Sequence, residues 1–123
     1  MAHLFAIEIR TSRLPEMIRW YETYLRLKVI LRVQDDGYVL LARENLRIAL
    51  LRRPEESLPP PNRMTLALES DDLESIEKVA QTQTASGEEA PAIQTNDEGL
   101  QELTLTDPDG NRVKFFRWGE LAG

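Results

Sequence analysis

Few side chains in this 123-residue chain can do covalent or metal chemistry. Cysteine is absent, which excludes disulfides, thiolate ligands and cysteine nucleophiles, and His3 supplies all the imidazole. The sequence contains no glycine-rich phosphate loop, no Gly-x-Ser-x-Gly and no nucleophile at a suggestive spacing from a histidine. His3 reads as a surface or strand-end residue, and Asp107 and Asp109 as turn formers. What remains is a set of charged and aromatic side chains spaced two apart. In TDPDGNRVKFFRW, residues 106 to 118, a tight turn leads into a strand that carries Arg112, Lys114, Phe116 and Trp118 to one side. The same alternation puts Glu8 and Arg10 with Ala6, Arg47 with Ala49 and Leu51, and Thr65 with Ala67 and Glu69. The chemistry of such a set is mixed: small side chains leave room, aromatic rings form walls, and a lysine among them either serves as a base where it is partly desolvated or, the favoured reading, stays charged and holds an anion.

The elements that must position them follow from periodicity. LFAIEIRT, residues 4 to 11, alternates as a half-buried strand. Ser12 is then the expected cap of a helix over about residues 13 to 26, with Pro15 in its first turn and Met17, Ile18, Tyr21, Tyr24 and Leu25 at helical spacing. Trp20 and Tyr21 are expected to pack on the sheet. Three β-prone runs come next: LKVILRVQ, YVLLAR after Asp35-Asp36-Gly37, and LRIALLR after Glu44-Asn45. RPEESLPPPNR, rich in proline and charge, cannot continue a ladder and reads as a linker. The order then restarts. MTLALES is a strand, Ser70 or Asp71 caps a helix with Glu74 placed for a capping box, and LESIEKVAQ is the helix. TQTASGEEA is a solvated loop, and APAIQT, LQELTLT and NRVKFFRW are strands, the first of them weak. The chain therefore spells βαβββ twice, through element order rather than repeated residues. The boundaries expected are 1–53 for the first module, 54–63 for the linker and 64–119 for the second, within one domain spanning 1–123.

Bulk properties narrow the partners. With 15 basic and 21 acidic residues the net charge is −6 and the pI about 4.8, which repels a polyphosphate backbone. Nucleic acid is not an expected partner. No apolar run reaches membrane-spanning length, and MAHLFAIEIR meets charge too early for a signal peptide, so a cytoplasmic location without membrane contact is expected. Hydrophobic residues at 41% and charged residues at 29% are ordinary for a globular protein, so neither disorder nor coiled coil is indicated.

IEI leading into LPEMIRWYETYL, the entry LALESDDLESI, the turn DPDGNRV and the doubled element order together resemble the vicinal oxygen chelate superfamily, the glyoxalase, bleomycin-resistance and extradiol-dioxygenase fold. The resemblance spans nearly the whole chain. It implies an α+β fold in which two βαβββ modules form curved mixed sheets around a cleft, and it implies homodimerisation. A count of three strands between the helices would separate this fold from a ferredoxin-like rival. In metal-using members of the family, four positions on the inner sheet faces carry His, Glu or Gln; carried over, they fall on Ala6, Ala49, Thr65 and Lys114. None is a usual ligand, so no metal and no other cofactor is expected. The resemblance places Glu8, Arg10, Arg47, Thr65, Lys114, Phe116 and Trp118 along one concave surface, as ligand-binding residues. An ammonium there needs a carboxylate, and Glu8 is the expected partner of Lys114, unless the lysine simply reaches solvent. The function implied is metal-independent binding of a small organic molecule. Its rivals are a glyoxalase-like lyase or isomerase or dioxygenase-related enzyme, and a dimeric interaction module without ligand.

Overall fold

The computed structural model describes residues 2–33, 35, 37–54, 64–85 and 87–118. Apart from Pro54 the proline-rich linker lies outside them, as do Asp36, Ser86 and Gly119. The chain divides into two units, residues 1–62 and 63–123.

In the first unit β1 (Ile7–Thr11) leads into α1 (Leu14–Tyr24), followed by β2 (Lys28–Val33), β3 (Tyr38–Arg43) and β4 (Leu46–Arg52). The sheet order is β1-β4-β3-β2, with β1 parallel to β4 and the other pairs antiparallel. Register puts Ile9 beside Leu50 and Leu50 beside Val39, and likewise Ile7, Ile48 and Leu41 in the next row. Of these only Ile7 is not buried. Helix α1, which packs on β4, meets the sheet with Leu14, Met17, Ile18 and Tyr21, spaced as one helical face. Each such side chain contributes roughly 1.5–3 kcal/mol by leaving water.

The helix begins differently from the sequence expectation. Its cap is Arg13, with no side-chain cap bond, and Ser12 is exposed. The buried Thr11 does the nearby work, its Oγ1 accepting the Arg13 N–H at 2.9 Å. The helix also stops two residues early, because Arg26 turns to a positive φ of 56° and the N–H groups of Leu25 and Leu27 both return to the Tyr21 carbonyl. Trp20, half-buried, stands edge-on to Tyr21 with centroids 4.9 Å apart.

The second unit repeats the pattern with β5 (Thr65–Glu69), α2 (Leu73–Gln83), β6 (Gln94–Thr95), β7 (Gln101–Thr106) and β8 (Arg112–Arg117). Its sheet runs β5-β8-β7-β6, again with one parallel pair, β5 and β8. Three strands follow each helix, as the glyoxalase-type order requires. The weak strand expected over APAIQT shrinks to two residues, since Pro91 has no N–H to give a ladder. Helix α2 packs on β7 and β8, over a core of Leu66, Leu73, Ala80, Leu103, Leu105, Val113 and Phe115. Its cap is Asp72, one residue beyond those expected, whose carboxylate accepts the Ser75 N–H at 3.3 Å and the Ser75 hydroxyl at 2.7 Å. Glu74 makes no capping box. It pairs instead with both terminal nitrogens of Arg117, and that hydrogen-bonded guanidinium holds its carboxyl below the ordinary range. Among the described residues no helix is long and apolar enough to cross a membrane.

Candidate functional site

The turn before β8 fixes what the second sheet presents. Asp107, buried, accepts the N–H groups of Asp109 and Asn111 on Oδ1, both at 2.9 Å, and the Asn111 side-chain amide on Oδ2 at 3.0 Å. Gly110, with φ of 90°, supplies the left-handed step that closes the turn. Asn111 is buried as well, and its Oδ1 accepts the Met64 N–H at 3.1 Å while Arg112 donates its N–H to the Met64 carbonyl at 2.9 Å. The turn is thereby bolted to the start of β5, and the register of three strands is set.

That register arranges one face in rows. Thr65, Arg112 and Thr106 stand side by side; Ala67, Lys114 and Thr104 form the next row; Glu69, Phe116 and Glu102 form the third. Adjacent strands lie about 4.8 Å apart and successive rows about 7 Å, so the three rows cover a patch of small-molecule size. The opposite parity, Leu66, Leu103, Leu105, Val113 and Phe115, is the buried face under α2. An open depression of about 540 Å³ is lined by Met64, Thr65, Thr106, Gly110 and Arg112, at the first row. Within its own sheet Lys114 finds a carboxylate: its Nζ lies 3.8 Å from Glu102 Oε1, one strand away, with each side chain about one-third exposed (34% and 32%). Phe116 meets Trp118 edge-to-face at 6.0 Å, and Trp118 is 63% exposed.

The other expected ligand-binding residues belong to the first sheet. Glu8 is opposite Ala49 and Arg10 opposite Leu51, and both charged side chains are exposed. Arg47, opposite Ala42, holds its guanidinium 5.3 Å from the centroid of the Phe5 ring, a cation–π contact. The structure thus gathers Thr65, Lys114 and Phe116 on one sheet face, and Glu8, Arg10 and Arg47 on a face of the other sheet. It adds Arg112, Thr106 and Glu102 to the first group. Alternation alone put Arg112 on this face, but Thr106 and Glu102 needed the β7–β8 register, which no local pattern carries.

The four family metal positions do not suit a cation. Ala49 is fully buried and offers a methyl, as does half-buried Ala6; Thr65 offers one hydroxyl, and Lys114 an ammonium already turned to Glu102. Among the described residues no three His, Asp or Glu side chains gather so as to hold a metal ion. A divalent ion needs several converging N or O donors, and this set cannot supply them.

Comparison with known proteins agrees with this architecture. A family model described as Glyoxalase/Bleomycin resistance protein/Dioxygenase superfamily matches residues 2–115. No curated protein matches. Among solved structures, TioX from Micromonospora sp. ML1 superposes with a TM-score of 0.73 at 13% identity, over 94% of this chain and 98% of that one. Lactoylglutathione lyase from Agrobacterium tumefaciens gives 0.71 at 13% identity, over 95% and 94%. A bleomycin-binding protein complexed with bleomycin gives 0.66 at 20% identity, over 94% and 98%. At these identities the likeness is one of fold.

Proposed function

Because the chain belongs to the Glyoxalase/Bleomycin resistance protein/Dioxygenase superfamily, we propose that it binds a small organic molecule without a metal ion, on the open face of β5, β8 and β7. The observation that carries this reading is the row Thr65–Arg112–Thr106 beside a depression of about 540 Å³, a size within the range of ligand pockets. The solved complex of a bleomycin-binding protein with bleomycin supports it at the level of the fold. Arg112 supplies a planar fork of donors for an oxyanion, the threonine hydroxyls on either side can donate to the same oxygens, and Phe116 offers a ring to an apolar group. Lys114 contributes less than its charge suggests, because Glu102 already neutralises part of it.

A thermal-shift series with small aromatic acids, cationic antibiotics and divalent metals tests the reading, since whatever binds the folded state alone raises the melting temperature. Aromatic acids should raise it and divalent metals should not. Replacing Arg112 by methionine should weaken an aromatic acid by about tenfold, the worth of one charge-assisted contact, and Lys114→Met by about threefold. Zinc, nickel, iron or manganese retained at one equivalent after purification without chelator would overturn the metal-free reading.

We also propose that the chain is a homodimer. β2 is an edge strand, and although exposed Lys28 and Arg32 and a register shift between Val29 and Leu31 interrupt it, it leaves three large apolar side chains in the open, Ile30 at 56%, Leu31 at 47% and Val33 at 39% exposure. Sedimentation equilibrium should give twice the chain mass, and Leu31→Glu should shift it toward the monomer. A wild-type protein that sediments as a monomer at tens of micromolar would rule this out.

A further inference from the structure

Resting on the ligand-binding reading above, we infer that the ligand is two-ended: an anionic group at one end, a flat apolar middle, and an organic cation at the other. The inference comes from the order of charge along the three rows. The first row is Thr65, Arg112 and Thr106, one full positive charge flanked by hydroxyls, and no carboxylate among the described residues pairs with Arg112. The second row is Ala67, Lys114 and Thr104, and its ammonium is drawn to Glu102, so the middle of the face is close to neutral. The third row is Glu69, Phe116 and Glu102, an aromatic ring between two carboxylates, of which Glu69 has no cation beside it among the described residues.

Arg112 and Glu69 cannot satisfy each other. They sit at opposite ends of paired strands, four residues apart along the strand direction, which is about 13 Å and well beyond an ion pair. In solvent at physiological salt that separation exceeds the screening length of about 8 Å, so each end acts on a ligand as an independent charge. With Glu102 engaged by Lys114, the uncompensated acid beside the ring is Glu69, and its charge and the ring quadrupole add at a seat for an ammonium, while Trp118, edge-on to Phe116, widens the aromatic surface. The anionic end prefers carboxylate or phosphate for the reasons given for Arg112. A zwitterion of about 13 Å, with an aromatic body, therefore complements the whole face, whereas a simple acid or a simple amine fills one end of it. The net charge of −6 has no bearing on this order, because recognition at contact distance is set by the rows themselves.

The test uses a biphenyl with a carboxylate at one end and an aminomethyl group at the other, alongside the two analogues that keep only one of these groups. Dissociation constants are measured by titration calorimetry on the full chain and on Arg112→Met and Glu69→Gln, both at exposed positions, with circular dichroism to confirm folding. The two-ended probe should bind about tenfold more tightly than either analogue. Arg112→Met should weaken both carboxylate-bearing probes and leave the amine-only probe within about twofold; Glu69→Gln should do the reverse. The inference is overturned if the two-ended probe gains nothing over the acid alone, or if both variants affect all three probes alike. If the acid binds, Arg112→Met removes that binding, and the amine adds nothing, the ligand-binding reading stands while the two-ended one falls. Binding of none of the three to folded protein removes the inference, and the thermal-shift series then judges the ligand-binding reading separately.

Discussion

Asp107→Ala should destabilise the protein by about 3–4 kcal/mol, because one small truncation leaves three donors without an acceptor. The carboxylate takes the N–H groups of Asp109 and Asn111 and the amide of Asn111, and both Asp107 and Asn111 are nearly inaccessible to water, at 4% and 3%. Each orphaned buried group costs about 1–3 kcal/mol, less where water can enter the space vacated. For a chain of this length the melting temperature should fall by about 10–15 °C. Asp107→Asn is the informative control. It keeps an oxygen for the two backbone N–H groups but sets its own NH2 against that of Asn111, donor facing donor, so it should cost about 1–2 kcal/mol, less than the alanine. Urea melts of the three proteins measure both differences; an alanine variant within about 1 kcal/mol of wild type would show that the turn does not depend on this carboxylate. A large loss would have a functional side, since Asn111 ties the turn to Met64 and through it sets Thr65 opposite Arg112.

Much of the fold was written in local patterns. Period-two alternation in IEIRT, TLALE and RVKFFR located strands and their faces, because one face of each sheet is buried under a helix and selection for burial acts on every second residue. Helical spacing of Leu14, Met17, Ile18 and Tyr21 did the same for α1. The helix ends were less legible. Ser12 and Thr11 are both good hydroxyl acceptors, and which one serves depends on the exit of β1 being buried against the sheet, a tertiary matter. The cap of α2 was misplaced by one residue within Ser70-Asp71-Asp72, where three consecutive side chains have capping chemistry. Glu74 looked like a capping-box residue because the rule is local; Arg117, forty-three positions later, outcompetes the backbone for its carboxylate.

The site was half legible for the same reason. Alternation placed Arg112, Lys114 and Phe116 on one side of β8 and Thr65 and Glu69 on one side of β5. It could not say which residue of β7 stands beside which of β8, and so it missed Glu102, the carboxylate that Lys114 finds. With the lysine paired to Glu102, the cation on that face without a carboxylate partner among the described residues is Arg112, which is why the proposed anion contact is assigned to it.

Ala49→Glu carries the second-largest expected effect and tests one of the positions onto which the resemblance carries a family metal ligand. Ala49 is fully buried in the middle of β4, with Glu8 opposite it on β1 and the buried Leu40 opposite it on β3. A carboxylate introduced there enters a buried row with a like charge, Glu8, across the strand pair; the cations of that face, Arg10 and Arg47, stand one row away, Arg10 exposed and Arg47 set over the Phe5 ring, so the substitution should destabilise the fold by about 3–5 kcal/mol at neutral pH. Burial favours the neutral form and raises the introduced carboxyl's folded value above the unfolded value of about 4.3. The sign follows. The unfolded chain releases that proton more easily, so the loss of stability grows as pH rises above about 4.3 and shrinks on acidification toward it. Urea melts at pH 7.5 and at pH 5 should therefore differ more for Ala49→Glu than for wild type, with the variant recovering part of its stability at the lower pH. A variant as stable as wild type at pH 7.5 would mean that the position tolerates a charge.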